Sequence, residues 1–499
     1  VAIDLSSLVK AYDVRGVVPD QLSPQVAQAL GAAFARVIVL SDADTDADTE
    51  TAAPGGSERP GMVIGRDMRD SGPELVDAFA RGVTSAGVDV TLIGLCSTDG
   101  LYFASGQLDV PGAMFTASHN PARYNGIKLC RSGARPVGQE TGLAEVRELA
   151  QGFLDDGLPE PVADVGQVTE RDLLADYAGF LRSLVDLSGA RPLKVVVDAG
   201  NGMGGLTVPA VLGDAAGLPG LPLEIVPLFF ELDGSFPNHE ANPLEPSNLI
   251  DLQAAVVANE ADLGLAFDGD ADRCFVVDER GGAVSPSAVT ALVGLAEVTK
   301  ELAAGRTPTV IHNLITSRAV PDLLSSAGAT TVRTRVGHSF IKAQMAEHGA
   351  VFGGEHSAHY YFRDFWFADT GMLAALHVLA ALSTQDHTMS ELAEMFEPYV
   401  GSGEINSTVS DAAAATERVL DAYRAAYPGI VVDTLDGVTV SHWESHAQWW
   451  FNLRASNTEP LLRLNVEAAD QDIMEKVRDD VLSLVRESAD GPAEEEETL

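Results

Sequence analysis

Apolar residues recur along this chain with two alternating periods. After Tyr12-Asp-Val-Arg15-Gly16, Val26, Leu30, Ala33, Phe34 and Val37 share one helical face. Ser23 is the predicted N-cap of that helix and Pro24 its first-turn proline. Met62-Val-Ile-Gly65 and Val88-Asp-Val-Thr-Leu-Ile93 are short strand-like runs separated by a helical stretch, the alternation of a parallel, helix-covered sheet. The rhythm restarts at Leu193–Asp198 and runs through Leu263–Phe267 to Cys274–Val277. It restarts again at Thr309–Ile311 and runs to Val351-Phe352. The pattern predicts an α/β protein of three similar mixed α/β units, at 1–162, 163–281 and 282–398. Residues 399–499 differ. A helix over Ala412–Ala426, strands at Val431–Val440, Trp449–Arg454 and Leu461–Glu467, and a last helix from about Asp472 make a smaller α+β unit.

Two stretches break the rhythm. Residues 41–61 are acidic and of low complexity, predicted as a disordered surface loop with no catalytic part, and 488–499 form an acidic tail. No apolar run approaches the roughly 18 residues that span a bilayer, and the longest, Met372–Leu382, is interrupted by His377 and reads as a buried helix. No secretory signal is evident, and Cys96, Cys130 and Cys274 have no ligand spacing. Together these point to a cytoplasmic protein with reduced thiols. A net charge of −41 argues against nucleic acid and against an anionic membrane as partner. With only six lysines against 26 arginines, such a chain must concentrate its cations where it binds an anion. Arg15, Lys128, Arg273, Arg454 and Arg463 all stand in or near polar loops.

Those loops carry the candidate chemistry. Asp268, Asp270 and Asp272 alternate after the strand Leu263–Phe267, so in an extended segment three carboxylates converge on a hard cation such as Mg²⁺. The spacing also opens a calcium hand, but Arg273 stands where that loop needs glycine. Thr116-Ala-Ser118-His119-Asn120-Pro holds one hydroxyl beside an imidazole and an amide, with Lys128 ten residues on. Thr116 and Asn120 occupy the glycine positions of a nucleophile elbow, so acyl transfer is unsupported. A serine that carries a phosphoryl group needs cations, a metal and a nearby base, and His119, Arg123 and Lys128 are the local candidates for those parts. Glu355, Ser357 and His359 alternate after another strand and suit vicinal sugar hydroxyls. Arg454-Ala-Ser456-Asn457-Thr458 suits a phosphate. Gly200-Asn-Gly-Met-Gly-Gly205, with Glu224 downstream, matches a dinucleotide fingerprint, the rival from another class. Pro209 and the Leu218–Pro222 segment break its spacing, leaving a glycine-rich turn. His348, His377, His387 and His442 carry no partner pattern and read as structural.

Taken together, the four loops resemble those of the α-D-phosphohexomutases, in particular the bacterial phosphomannomutase/phosphoglucomutase branch, in the same order and over nearly the whole chain. The resemblance implies four domains around a central cleft, the last similar to the TATA-box-binding-protein fold. It implies a phosphoserine at Ser118, and Mg²⁺ held by Ser118, Asp268, Asp270 and Asp272. Arg15, His119, Lys128, Arg273 and His338 then flank the reaction, and Asn120, Glu355, Ser357, His359, Arg454, Ser456, Asn457, Thr458 and Arg463 hold the substrate. The implied reaction interconverts mannose 6- and 1-phosphates, and glucose phosphates also, through a hexose 1,6-bisphosphate that primes the serine. Hexose phosphates are the expected partners of a monomer or weak dimer. Phosphoglucosamine mutase and a silent sugar-phosphate binder are the alternatives, although glucosamine-specific relatives usually carry glutamine where His356 stands. Two departures are visible: His312–Ser317 has no lysine, and Gly94-Leu-Cys-Ser-Thr98 replaces a more proline-rich turn.

Overall fold

The computed structural model describes residues 4–47, 59–187, 189–455 and 461–486. Ser23 accepts the Val26 amide at 3.3 Å and starts the helix Pro24–Phe34. This helix continues through a wider turn, Ala35–Val39, into Leu40–Ala47. The acidic stretch expected to be a loop from residue 41 is therefore helical as far as Ala47. Buried Ile38 and Val39 carry the helix forward, and Asp42 is ion-paired with Arg131. Residues 48–58 lie outside the described set. The stretch Pro24–Ala43, with mean hydropathy 1.4, is long and apolar enough to cross a membrane, contrary to the run-length expectation. Most of it is buried in the molecule, and it packs along the helix Gly72–Ser85.

The first sheet runs Asp13–Val17, Tyr124–Arg131, Gly112–Phe115, Gly61–Arg66, Asp89–Leu95, Val168–Glu170, with Arg135–Pro136 paired to Tyr124–Arg131. It is parallel from Gly112–Phe115 to the Val168–Glu170 edge and antiparallel on the other side. Tyr124–Arg131 is antiparallel to both neighbours, because the short connection 116–123 returns the chain directly, whereas a parallel pairing needs a long crossover. Val168–Glu170, assigned by the 162/163 boundary to the second unit, adds to this first sheet beside Asp89–Leu95. The second sheet orders Ala283–Val284, Cys274–Asp278, Leu263–Phe267, Leu193–Asp198, Leu223–Leu228. The third orders Thr330–Thr334, Thr309–Asn313, Phe352–Gly354, Tyr360–Phe362, Ala368–Asp369.

All three sheets share one device: a parallel strand ends, a short loop follows, and the chain returns antiparallel beside it. The three loops are 116–123, 268–273 and 355–359. Each polar motif of the first three units thus occupies the same topological place, at the carboxyl end of a parallel strand.

The fourth sheet is antiparallel throughout: Val400–Thr408, Leu461–Ala468, Trp449–Ala455, Val438–Ser441, Val431–Asp433. The segment expected as one strand over Val431–Val440 is a hairpin, because the intervening Leu435-Asp-Gly437 makes a turn in which Gly437 has φ +68°. Val400–Thr408 escaped the pattern reading, being polar and glycine-containing at a sheet edge. The helices Ala412–Ala426 and Gln471–Arg486 pack with this sheet in a core of its own, around Trp449 and Phe451. One continuous core joins the other three units, from Phe103 through Val196 and Phe267 to Leu376.

Where those three units meet, the carboxylate of Asp99 is fully buried. It accepts Tyr177 Oη at 2.7 Å and Thr370 Oγ1 at 2.6 Å, one donor from each of the other units, and also the Ser97 hydroxyl. Burial pushes this carboxyl up to about 6, against those three hydrogen bonds. A raised folded-state value means that the contribution of Asp99 to stability is full below about pH 4 and is lost as pH rises through about 6. Asp99→Asn removes this titration. Between pH 4.5 and 7.5 the variant should gain on the wild type by roughly 2 kcal/mol. Urea unfolding of both proteins at the two pH values checks this, and a constant difference between them would sink it.

Candidate active site

Ser118 sits in the left-handed region, φ +50°, at the tip of the first loop. Its amide is tied to Thr116 Oγ1 at 2.9 Å. Arg69 clamps the loop from below: its guanidinium donates to the carbonyls of Ser118, Asn120, Pro121 and Tyr124 at 2.6 to 3.0 Å, and to Asp67 Oδ2 at 3.2 Å. All five N–H groups of this buried arginine are involved, which holds a conformation a serine would not choose alone. Ser118 Oγ donates to Asp268 Oδ2 at 2.9 Å. Gly269 lets the two loops touch, since a Cβ there would stand 2.4 Å from the Ser118 carbonyl oxygen. Gly202 does the same from behind, where a Cβ would meet the Gly269 carbonyl oxygen at 2.7 Å. The glycine-rich turn therefore backs the aspartate loop, which accounts for the dinucleotide-like spacing by close packing.

The three aspartates do converge, but not as alternate residues of an extended strand. The strand ends at Phe267, and Ala271 at φ +58° folds the loop so that one oxygen each from Asp268, Asp270 and Asp272 lies within 4.8 Å of the others. All three are buried. Lys128 Nζ donates to Asp270 Oδ2 at 2.7 Å and Asp272 Oδ2 at 2.6 Å. Arg273 donates to Asp268 Oδ2 through Nε at 3.0 Å and through Nη2 at 2.8 Å. Three carboxylates against two cations leave one negative charge uncompensated. Burial and the neighbouring Asp272 and Asp270 push the Asp268 carboxyl well up, outweighing Arg273. Asp270 is held down instead, its burial being outweighed by Lys128. Among the described residues, Asp270 Oδ1 and Asp272 Oδ1 are buried without a hydrogen-bond partner. Two orphaned hard oxygens in an under-compensated cluster fit a divalent cation.

Of the parts open to His119, cation or base, the cationic one does not fit its surroundings. Burial, with Arg273 and Arg15 close by, pushes its imidazole down to about 3, so it is neutral. Its Nδ1 accepts from Arg273 Nη2 at 2.7 Å and lies 3.3 Å from Ser118 Oγ. Arg123 stacks on the ring of Tyr124, 5.4 Å from its centroid, and is exposed, so it is no ligand of the serine. Arg15 is bonded to Asn120 Oδ1 and to Asp13 Oδ2, the latter at 2.7 Å. Ser118, His119, Arg15, Lys128, Asp272, Arg273 and His359 line one cavity of about 240 Å³.

The third loop reaches the same place through a turn, Ala358 standing at φ +65°. Glu355 is nearly fully buried and accepts from Tyr361 Oη at 2.8 Å, the Gly337 amide at 3.2 Å and Asn313 Nδ2 at 3.3 Å. Ser357 Oγ and His359 Nδ1 are 3.0 Å apart, and His359 Nε2 lies 3.7 Å from Asp272 Oδ1. His338 opens the helix His338–His348, its side chain outside the described set.

Arg454 and Arg463 are direct partners across two neighbouring strands of the fourth sheet. Such like charges repel unless an anion answers them. Glu404 lies 3.4 Å from Arg454 and 3.5 Å from Arg463, with Asp436 3.7 Å from Arg454. Neither arginine lines the serine cavity. Burial pushes the Tyr12 phenol up, and Arg454 is among the cations that oppose the shift, so its charge is felt at the cavity wall. Ser456, Asn457 and Thr458 lie outside the described residues.

Four side chains at the site were not singled out from the sequence: Arg69, Thr98, Lys342 and Asp369. Lys342 is buried against Asp369 at 2.6 Å and against the Tyr102 ring at 4.1 Å, and both members of the pair line the cavity. The one available signal was the scarcity of lysine, which makes each of the six a candidate. Gly65-Arg-Asp-Met-Arg69, at the end of a parallel strand, was readable by the same rule as the three motif loops.

Comparison with known proteins places these features. Models of phosphoglucomutase/phosphomannomutase alpha/beta/alpha domains I, II and III match residues 6–152, 175–282 and 286–399, and the model of the C-terminal domain matches 404–484. Phosphomannomutase of Escherichia coli K12 is 36% identical over 96% of this chain and 98% of its own length. A Xanthomonas campestris protein named for phosphohexose mutases is 38% identical over 96% and 98%. The crystal structure of a phosphoglucomutase/phosphomannomutase family protein from Burkholderia thailandensis superposes with TM-score 0.79 at 30% identity, covering 97% of this chain and 98% of that one. The four-domain fold and these relatives define an isomerase of the mutase class. The chain belongs to the phosphoglucomutase/phosphomannomutase family.

Proposed function

We propose that this enzyme interconverts mannose 6-phosphate and mannose 1-phosphate, and glucose 6- and 1-phosphates as well, with Ser118 as phosphoryl carrier. The observation that carries the reading is the Ser118 hydroxyl hydrogen-bonded to a buried three-carboxylate loop with two orphaned oxygens. Asp268, Asp270 and Asp272 would hold Mg²⁺ together with the serine phosphate, and the ion would draw charge from the oxygens of the transferring group. The remaining work falls to the chain. Arg15, Arg273 and Lys128 surround the position of that group, where compact positive charge favours the spread charge of phosphoryl transfer. Neutral His119 accepts from Arg273 and orients it toward the serine.

Phospho-Ser118 gives its phosphoryl group to the free hydroxyl of a hexose phosphate, forming the 1,6-bisphosphate. The sugar turns over, and Ser118 Oγ takes the other phosphoryl group. Asp268 Oδ2 is the acceptor nearest the serine proton in that second step. Glu355, Ser357 and His359 read the sugar hydroxyls, while Asn120, Arg454, Arg463 and the segment 456–458 hold the substrate and its unreacting phosphate. A separate core for the fourth unit suits a part that must admit a substrate turning end for end. Three buried free thiols suit a reducing compartment such as the cytoplasm.

Turnover of mannose 1-phosphate, glucose 1-phosphate and glucosamine 1-phosphate, each with Mg²⁺ and a trace of hexose 1,6-bisphosphate, tests the reading. The mannose and glucose esters should turn over and the glucosamine ester should lag. Preference for the glucosamine ester would move the assignment to a phosphoglucosamine mutase, and silence with all three would leave a binding protein.

A further inference from the structure

The first unit contributes a residue to the metal loop that neither the motifs nor the comparisons mark. Thr98 is the first residue of the helix Thr98–Leu108 and is fully buried. It grips Asp270 twice: the Thr98 amide donates to the Asp270 carbonyl at 3.0 Å, and Thr98 Oγ1 donates to Asp270 Oδ2 at 2.6 Å. Lys128 Nζ takes the same Oδ2 at 2.7 Å. Both acceptor directions of Oδ2 are thereby filled, and Oδ1 is the oxygen left buried and unpartnered. Thr98 is itself fixed. Ser97 caps the helix by accepting the Gly100 amide at 3.2 Å, and Asp99 is tied to Tyr177 and Thr370 of the second and third units.

We propose that Thr98 is a positioning residue for the divalent cation: its hydroxyl sets the rotation of the Asp270 carboxylate, so that Oδ1 alone is presented to the metal. This rests on the reading of the aspartate loop as the metal site. A ligand held from behind by a donor on a rigid helix start suits Mg²⁺, which tolerates little departure from octahedral geometry, more than Ca²⁺, which accepts irregular coordination. The lysine on the other side of Oδ2 supplies charge but little direction, because an ammonium on a flexible stem can follow a rotating carboxylate. The hydroxyl of a β-branched residue in a helix has far less freedom.

The test is direct titration of Mg²⁺ and, separately, Ca²⁺ into the full-length protein by calorimetry, at matched Ser118 phosphate content verified by mass. Thr98→Val keeps the shape and the amide and loses the hydroxyl. Its Mg²⁺ affinity should fall about tenfold, with Ca²⁺ affinity falling clearly less. Thr98→Ser, which restores the donor, should bind Mg²⁺ close to wild type. Thr98→Ala against Thr98→Ser isolates the same hydroxyl should the valine variant fail to fold. Equal Mg²⁺ affinity with and without the hydroxyl overturns the inference. So does an equal loss for Mg²⁺ and Ca²⁺, which would mean general loosening. A wild-type protein that takes up no Mg²⁺ overturns the metal-site reading itself.

Discussion

Ser118→Ala is expected to lower mutase turnover by roughly four orders of magnitude or more and to remove about 80 Da, one phosphoryl group, from the purified protein. The size of the effect follows from the mechanism: without a carrier the two transfers have no common intermediate, so the loss is not graded. The fold should survive. Alanine removes the 2.9 Å hydrogen bond to Asp268 Oδ2, but two bonds from Arg273 remain on that oxygen. A stability change of only about 1 kcal/mol is expected. Intact-protein mass and turnover of the same preparation read the two effects together. Activity retained by the alanine variant would end the covalent reading, and lost activity with an unchanged mass would place the phosphate on another residue.

Replacing Lys128 by methionine is the second large change, and its sign is unusual. The lysine bridges Asp270 and Asp272 at 2.7 and 2.6 Å, and both aspartates are buried. These carboxylates hold the ammonium charged well beyond its ordinary range, outweighing the burial that opposes it. Removing one partner of a buried pair typically costs about 3–5 kcal/mol, because the remaining charges stay buried and unanswered. Turnover should drop by roughly two to three orders of magnitude with the loss of positive charge at the transferring group. The variant leaves three carboxylates facing one cation, Arg273, so added Mg²⁺ should raise the melting temperature of the variant more than that of the wild type. Thermal unfolding with and without Mg²⁺ measures this. Equal Mg²⁺ stabilisation of both proteins would mean that the lysine and the metal do not answer the same carboxylates.

The two variants probe features of different visibility. Ser118 and the aspartates could be named from the chain because each belongs to a short loop after a buried strand, where several polar residues stand within six positions. The roles were less visible. His119 reads as either a cation or a base beside the serine, and burial and two guanidinium neighbours keep it neutral. Arg123 reads as a local cation and turns onto Tyr124. The first outcome is not encoded in the neighbouring residues, since it depends on what other segments bring within a few ångströms. The second is a contact with the very next residue.

The sequence by itself determined the strands that end in polar loops, the order of the four motifs, and the family they define. Those are local properties: hydrophobic period, turn residues, and clusters of like chemistry. Tertiary structure alone decided which loops meet. It placed Ser118 against Asp268 across 150 residues and Thr98 against Asp270 across 172, and it made Arg69 the clamp of a loop some fifty positions away. It also set the charge balance of the site, because the energy of a buried carboxylate depends on the dielectric and the cations around it. Both are supplied by chain far away in sequence.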